Sequence, residues 1–286
     1  KQTRVSGHLP KPSFVDGEVN NDNSQLIEAT GYGANLEVLQ NSTNSAGHFN
    51  SDPDDDGISR KVPMLIKYNG KMYEAFSLAV ARAVLDSDSN RLRSSPIVKI
   101  QAGPTDDFGT GEHYSGLEWL KLGSHKIPVN EEMAALIPYR GPQGSFHYVS
   151  ATDVLNHKVS LGKLRNKIVL LGTTAAGLMD LRATPVQNIY AGVEVHANMI
   201  AGILDNNIKE NPAYTQGAEL LLLLLVGLFL AFILPELNPL MATTVTLATL
   251  VVVLVLNLSA SICANTINAF RSLTVACHCL LSILFS

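Results

Sequence analysis

Asn166-Lys-Ile-Val-Leu-Leu-Gly172-Thr-Thr-Ala-Ala-Gly-Leu-Met-Asp180, then Ala183-Thr-Pro185, then Ala191-Gly-Val-Glu-Val-His196-Ala-Asn198, is the stretch from which the fold class is read. Ile168 to Leu171 form an apolar, β-branched run that stops at a glycine, the pattern of a buried strand. Small and hydroxylated residues follow, then an isolated acid, Asp180. Gly192 opens a helix whose apolar residues Val195, Met199, Ile203 and Leu204 share a face. A strand, a small-residue turn and a helix entry predict an α/β fold with a mixed sheet. In such folds ligands bind outside the carboxyl ends of strands.

The charge pattern divides the chain. Of 286 residues 46% are hydrophobic and 16% charged, which predicts a globular part plus membrane segments. Beyond Gly217 the charged residues are Glu219, Glu236 and Arg271. The net charge of −4 is mild and no Lys/Arg cluster stands out, which argues against a nucleic-acid partner. Cys263, Cys277 and Cys279 all lie in the apolar third, so no disulfide staples the remainder. The chain opens at Lys1 without an initiator Met and closes at Ser286 inside an apolar run, and it reads as part of a longer protein.

Upstream, residues 1–30 are polar and rich in Asn, Pro and Gly, and read as an extended lead-in. A short helix is expected from about Ala34 to Asn44. Asp52, Asp54 and Asp56 with Gly57 match the opening of a calcium loop, but Arg60 and Pro63 occupy the ninth and twelfth positions. A looser calcium site and an acidic turn closed by Gly57, with Arg60 paired to an Asp, both fit; the missing Glu favours the turn. Pro63–Tyr68 and Lys71–Glu74 flank Asn69-Gly70, a hairpin signal. Phe76 to Leu85 reads as a helix with Phe76, Val80, Ala83 and Val84 inward. Ile97 to Ala102 reads as a strand and 103–116 as a loop. Ile127–Val129 and Met133–Tyr139 read as strands joined at Asn130-Glu131. Arg140 reads as solvated. Ser150 caps a helix to Asn156, and Leu161–Arg165 form a further short one.

The candidate ligand-binding residues are Gly172, Thr173, Thr174, Asp180, Thr184, His196 and Asn198. Amides and hydroxyls at Gly172 to Thr174 suit an anion, although a tight turn with Gly172 serving close packing also fits. The spacing is neither GxGxxG nor a P-loop, so no cofactor is implied. Asp180 is placed to bond amides around Thr184-Pro185 and fix that loop. His196 lacks the HxxxH or HxxE partner of a metal site and reads as a satisfied structural histidine, with a titration range suited to pH sensing. No Ser/His/Asp order or carboxylate pair indicates an enzyme.

Gly217–Leu234 and Leu240–Ile262 are each long enough to cross a hydrocarbon core of about 30 Å, and 272–286 begins a third, partial span. Membrane lipid is therefore an expected partner.

Ordered blocks carry a family resemblance: Ala46-Gly-His-Phe-Asn50, Asp54-Asp-Asp-Gly57-Ile-Ser-Arg60, Phe76-Ser-Leu-Ala79, Ile137-Pro-Tyr-Arg-Gly141, Val149-Ser-Ala-Thr-Asp153-Val-Leu155, and the opening stretch. Together they resemble the CHASE domain of the second type, an extracellular sensory module associated with cyclases and histidine kinases. The resemblance covers most of Gly31 to Asp205. It implies an N-terminal anchor, an external sensor over 31–210, three spans and a cytoplasmic output domain, in a bacterial inner membrane. It further implies an unknown small-molecule or protein signal and a homodimer or membrane-protein partner. The other reading consistent with the sequence is a non-signalling subunit of a membrane complex that binds proteins through its external domain.

Overall fold

The structure is a computed structural model that describes residues 4–15, 26–43, 45–88, 98–101, 119–174, 180–209 and 214–264. Its elements in chain order are β1 (Val5–Ser6), β2 (Phe14–Val15), β3 (Tyr32–Gly33), α1 (Glu37–Gln40), β4 (Lys61–Pro63), β5 (Leu65–Tyr68), β6 (Lys71–Glu74) and α2 (Phe76–Asp88). Then come β7 (Val98–Gln101), β8 (Trp119–Leu122), β9 (His125–Pro128), β10 (Ala134–Leu136), α3 (Ala151–Leu155), β11 (Leu181–Arg182), β12 (Tyr190–Ala191), α4 (Gly192–Leu204), α5 (Tyr214–Ile233) and α6 (Pro239–Ala264). Backbone contacts divide them into two compact units, Lys1–Ile208 and Lys209–Ser286.

The first unit is α/β, as expected, but its strands form several small sheets. The hairpin β5–β6 turns at Asn69 and Gly70, both at positive φ (47° and 71°), the geometry of a primed turn that matches strand twist. β2, from the lead-in, pairs with β6. β4 pairs with β10. Met64 couples these two sheets: its amide donates to the Met133 carbonyl at 2.8 Å and its carbonyl accepts from Ala75 at 2.8 Å. The sheet β7–β8–β9 contains a strand, β8, that the sequence reading passed over. Met64, Leu65, Met72, Leu78, Leu120, Ile127, Met133, Tyr190, Val195, Met199 and Ile203 form one core.

Three expectations need correction. Ile168 to Leu171 is not a strand: residues 168–174 pair with no strand among the described residues, and Leu171 is 88% exposed. β-branched content measures fit to a half-buried pleated surface, and a ladder also needs a neighbouring backbone, which this run does not meet. The strands around Asn130 do not pair with each other; β9 joins β8, and Asn130 Oδ1 accepts from Ala134 N at 2.8 Å to turn the chain toward β4. In α2 the buried residues are Ser77, Leu78, Ala79 and Ala81, while Ala83 is exposed and Phe76, Val80 and Val84 are only half-buried. The cause is Arg82. It turns inward to Glu74, which is buried at the end of β6, with Nε 3.1 Å from Oε2 and Nη2 3.1 Å from Ser45 Oγ.

In the second unit α5 and α6 are joined by a 3-10 turn at Leu234–Glu236. The stretches 217–234 and 240–262 are thus helical apart from that turn, and 272–286 lies outside the described residues, as does 103–116. Among the described residues no helix is long and apolar enough to cross a membrane.

The Glu74–Arg82 pair generates a prediction. Arg82→Met leaves a buried carboxylate without its main cation and should cost about 3–5 kcal/mol. Urea unfolding read from Trp119, the single tryptophan, checks this. The further change Glu74→Gln should recover part of the loss, and an unshifted midpoint in Arg82→Met would refute the assignment.

Candidate functional site

Of the sequence-predicted residues, Gly172, Asp180, His196 and Asn198 gather on two sides of the first turns of α4. Its helix start carries no side-chain cap; instead the Gly192 amide donates to the Asp180 carbonyl at 2.9 Å, continuing the β11–β12 pairing. The Asp180 carboxylate lies against Gly192, where a Cβ would stand 2.3 Å from Oδ1. Gly172 meets the next residue: a Cβ there would stand 2.5 Å from the Val193 Cβ. Glycine at 172 therefore serves close packing. Thr173 and Thr174 are exposed.

His196 lies one turn further. Its ring meets Phe76 edge-on, with centroids 5.5 Å apart at 83°. Its Nδ1 is buried with no hydrogen-bond partner, so it is not the satisfied histidine expected. Burial pushes its pKa down; Asp180 pulls it up and Arg182 pushes it down. The Asp180–Arg182 separation is 3.7 Å with both side chains about one-third exposed, an ion pair of small energetic weight.

A second histidine, which the sequence reading missed as a site residue, belongs to the same corner. His48 bridges to Ala75 at the entry to α2, donating its amide to Glu74 O at 2.9 Å and accepting from Phe76 N at 2.7 Å. Both its ring nitrogens are buried without a partner. Burial, then the charge on His196, lower its pKa to about 4. No spacing rule singles His48 out, because its neighbour is distant in sequence.

On the inward side the chemistry is polar and fully satisfied. Glu194, buried, accepts from Gly144 N at 3.1 Å, Phe146 N at 3.3 Å and the Tyr148 hydroxyl at 2.6 Å. Burial and the bond to Glu194 push the Tyr148 phenol above its usual range. Asn198, also fully buried, donates to the Tyr190 hydroxyl at 2.9 Å and the Glu194 carbonyl at 2.8 Å, and accepts from Arg140 N at 2.9 Å. Arg140, expected to be solvated, pairs with Asp205 and stands 5.6 Å over the Phe146 ring. Pro138 packs on Gly202, where a Cβ would meet its Cγ at 2.2 Å. Residues 138–148 thus run along α4 as a strap from its last turn to its first. Asn198 was singled out in the sequence; Glu194 was not, although an acid within an apolar helix was the signal that could have found it.

Thr184 stands apart. Its hydroxyl donates to Gln187 O at 2.8 Å and accepts from Gln187 N at 3.1 Å, so this turn closes on itself. That corrects the expectation that Asp180 ties the loop at Thr184-Pro185. In the acidic loop Arg60 fills the gap between Asp54 and Asp56, at 2.7 Å from each, and Lys61 is 3.5 Å from Asp52. Among the described residues no group of three or more His, Cys, Asp or Glu is placed to hold a metal. The site as built holds and orients a helix.

Two predictions follow from these geometries. The unfolded chain takes up protons below pH 6.5 that the folded chain refuses at His48 until about pH 4. Stability is therefore complete above 6.5 and falls on acidification, by ~3 kcal/mol for that residue once pH is below both values. Urea midpoints at pH 7.5, 6 and 5 should decline, and His48→Phe should flatten the slope; a flat parent profile would sink the idea. Separately, Glu194→Ala strips the acceptor from three strap donors and should cost on the order of 2–3 kcal/mol. Limited proteolysis should then cut first within 141–148, and an unchanged cleavage pattern would contradict the strap.

No curated protein and no solved structure matches this chain. The family model of the CHASE2 domain matches residues 8–233, which include both histidines, the strap, α4 and α5. That match agrees with the resemblance in the ordered sequence blocks, and the chain belongs to the CHASE2 domain family of extracellular sensory domains.

Proposed function

We propose that this chain is the extracytoplasmic sensor, over about 31–210, and the membrane helices, over 217–234, 240–262 and 272–286, of a bacterial inner-membrane receptor whose output domain is a cyclase or a kinase. The observation that carries the reading is the reach of the family match, which continues past the sensor unit to the end of α5. Sensor and first apolar helix therefore belong to one family pattern. The chemistry of α6 supports lipid contact. Thr243, Thr244, Thr246 and Thr249 each donate their hydroxyl to a backbone carbonyl of the preceding turn, at 2.8–2.9 Å, which hides their polarity. Leu221, Leu225, Phe229 and Phe232 of α5 are exposed.

The chain itself transmits and does not catalyse. A small-molecule or protein signal acting near Gly172, Asp180 and His196 moves α4 against the strap, and the short connection 205–213 passes that movement to α5. A signal does this only by favouring one of two arrangements of the helix. A homodimer is the natural receiver, since cyclases and histidine kinases of the families implied work as dimers.

The test replaces the unknown signal by a mutation. Residues 1–286 with an N-terminal anchor are fused to a reporter cyclase, and Glu194→Ala serves as the perturbation of α4. Reporter output should differ several-fold between parent and variant, and four Gly/Ser residues inserted after Asn211 should erase the difference. Equal outputs before insertion, or a difference that survives it at full size, would overturn transmission through α4 and favour the role of a non-signalling subunit.

A further inference from the structure

The chain-wide charge of −4 conceals a local excess of the opposite sign. From Val154 to Met179 the sequence contains no acid, yet it carries Lys158, Lys163, Arg165 and Lys167. All four are exposed, and among the described residues none has an ion-pair partner. Of the acids that flank it in sequence, Asp153 is half-buried, and Asp180 lies on Gly192 beside Arg182.

The same segment exposes its largest apolar side chains. Leu155 is 78% exposed and Val169 60%, and Ile168 and Leu171 join them. Three tight turns keep the segment compact. Lys158 N donates to Asp153 O at 2.8 Å where α3 ends, Lys163 N to Ser160 O at 2.9 Å, and Lys167 N to Leu164 O at 3.3 Å. Val159, Leu164 and Leu170 are half-buried. What remains outward is a mixture of unpaired cations and bulky aliphatic groups.

We propose that segment 154–171 docks on an anionic phospholipid surface, its aliphatic side chains entering the headgroup boundary and its cations meeting lipid phosphates. Charge decides the occupant. Protein interface cores are depleted in lysine, whereas aliphatic residues interleaved with unpaired Lys and Arg are the composition of interfacial membrane binding. Each cation near an anionic bilayer is worth roughly fivefold in partitioning, and aliphatic insertion adds to that. The proposal rests on the membrane-tethered reading above, because tethering keeps lipid at a high effective concentration. It adds a second, reversible attachment that depends on lipid charge and salt.

The test uses the full chain reconstituted into vesicles, with Cys263, Cys277 and Cys279 replaced by Ser and an environment-sensitive dye on Val169→Cys. With one-third phosphatidylglycerol, brominated lipid should quench the dye several-fold more than in pure phosphatidylcholine, and half-molar salt should reverse the gain. Replacing Lys158, Lys163, Arg165 and Lys167 together by Glu should abolish it while Trp119 emission stays that of the folded parent. Equal quenching in both lipids, or none in the anionic one, overturns the docking surface. So does a response to duplex DNA in phosphatidylcholine vesicles as large as that to phosphatidylglycerol, which would make the segment a general polyanion surface. Failure of the chain to enter vesicles at all, read by flotation, is a separate result: it removes the membrane reading and the docking with it.

Discussion

Burying a carboxylate and an amide on one helix is the constraint from which the first unit's arrangement follows. Glu194 and Asn198 are fully enclosed, and a buried polar group without a partner costs several times what a satisfied one contributes. Within α4 itself, the Glu194 carbonyl accepts from Asn198, and the other partners lie outside the helix. They come from residues 140–148 and from Tyr190, and they dictate where the strap must lie. The core then fills the space that remains between α4, α2 and the hairpins.

The opposite side of the same helix entry is held by different means. Gly172 and Gly192 let neighbouring atoms approach without a Cβ, and His48 and His196 enter as neutral rings whose buried nitrogens find no partner. One side of α4 is fastened by side-chain hydrogen bonds, and the other by close contact beside the backbone bond from Gly192 to Asp180. A helix fastened unequally on two sides has a preferred direction of release. That asymmetry suits a sensory domain, in which a signal has to bias one element between two positions.

Much of this was legible from residue patterns, and the rest failed for identifiable reasons. The inward face of α4 followed from 3.6-residue periodicity, with Val195, Met199 and Ile203 in the core as read. Asn69-Gly70 named its own turn, since few residues tolerate positive φ twice in succession. Periodicity misjudged α2 because it counts Arg82 as a solvent residue, and only the fold reveals a buried acid waiting for it. It misjudged Ile168 to Leu171 because pairing is a property of two strands, and one of them cannot be seen from the other. Of the candidate site, Gly172, Asp180, His196 and Asn198 do converge on α4, while Thr184 closes its own turn. His48 and Tyr148 were out of reach, since their roles depend on contacts more than forty positions away.

The pairing of β4 with β10, and the packing of α2 against α4, join parts of the chain that are far apart in sequence. The hairpins depend on neighbouring residues alone, but the core they share cannot close without Ile203. Closing such long loops makes folding slow relative to local helix formation. Met64, Leu65 and Leu78 therefore wait for partners that lie more than a hundred residues further along the chain. The apolar residues of α5 follow α4 closely, so the chain's two most hydrophobic commitments lie side by side in sequence.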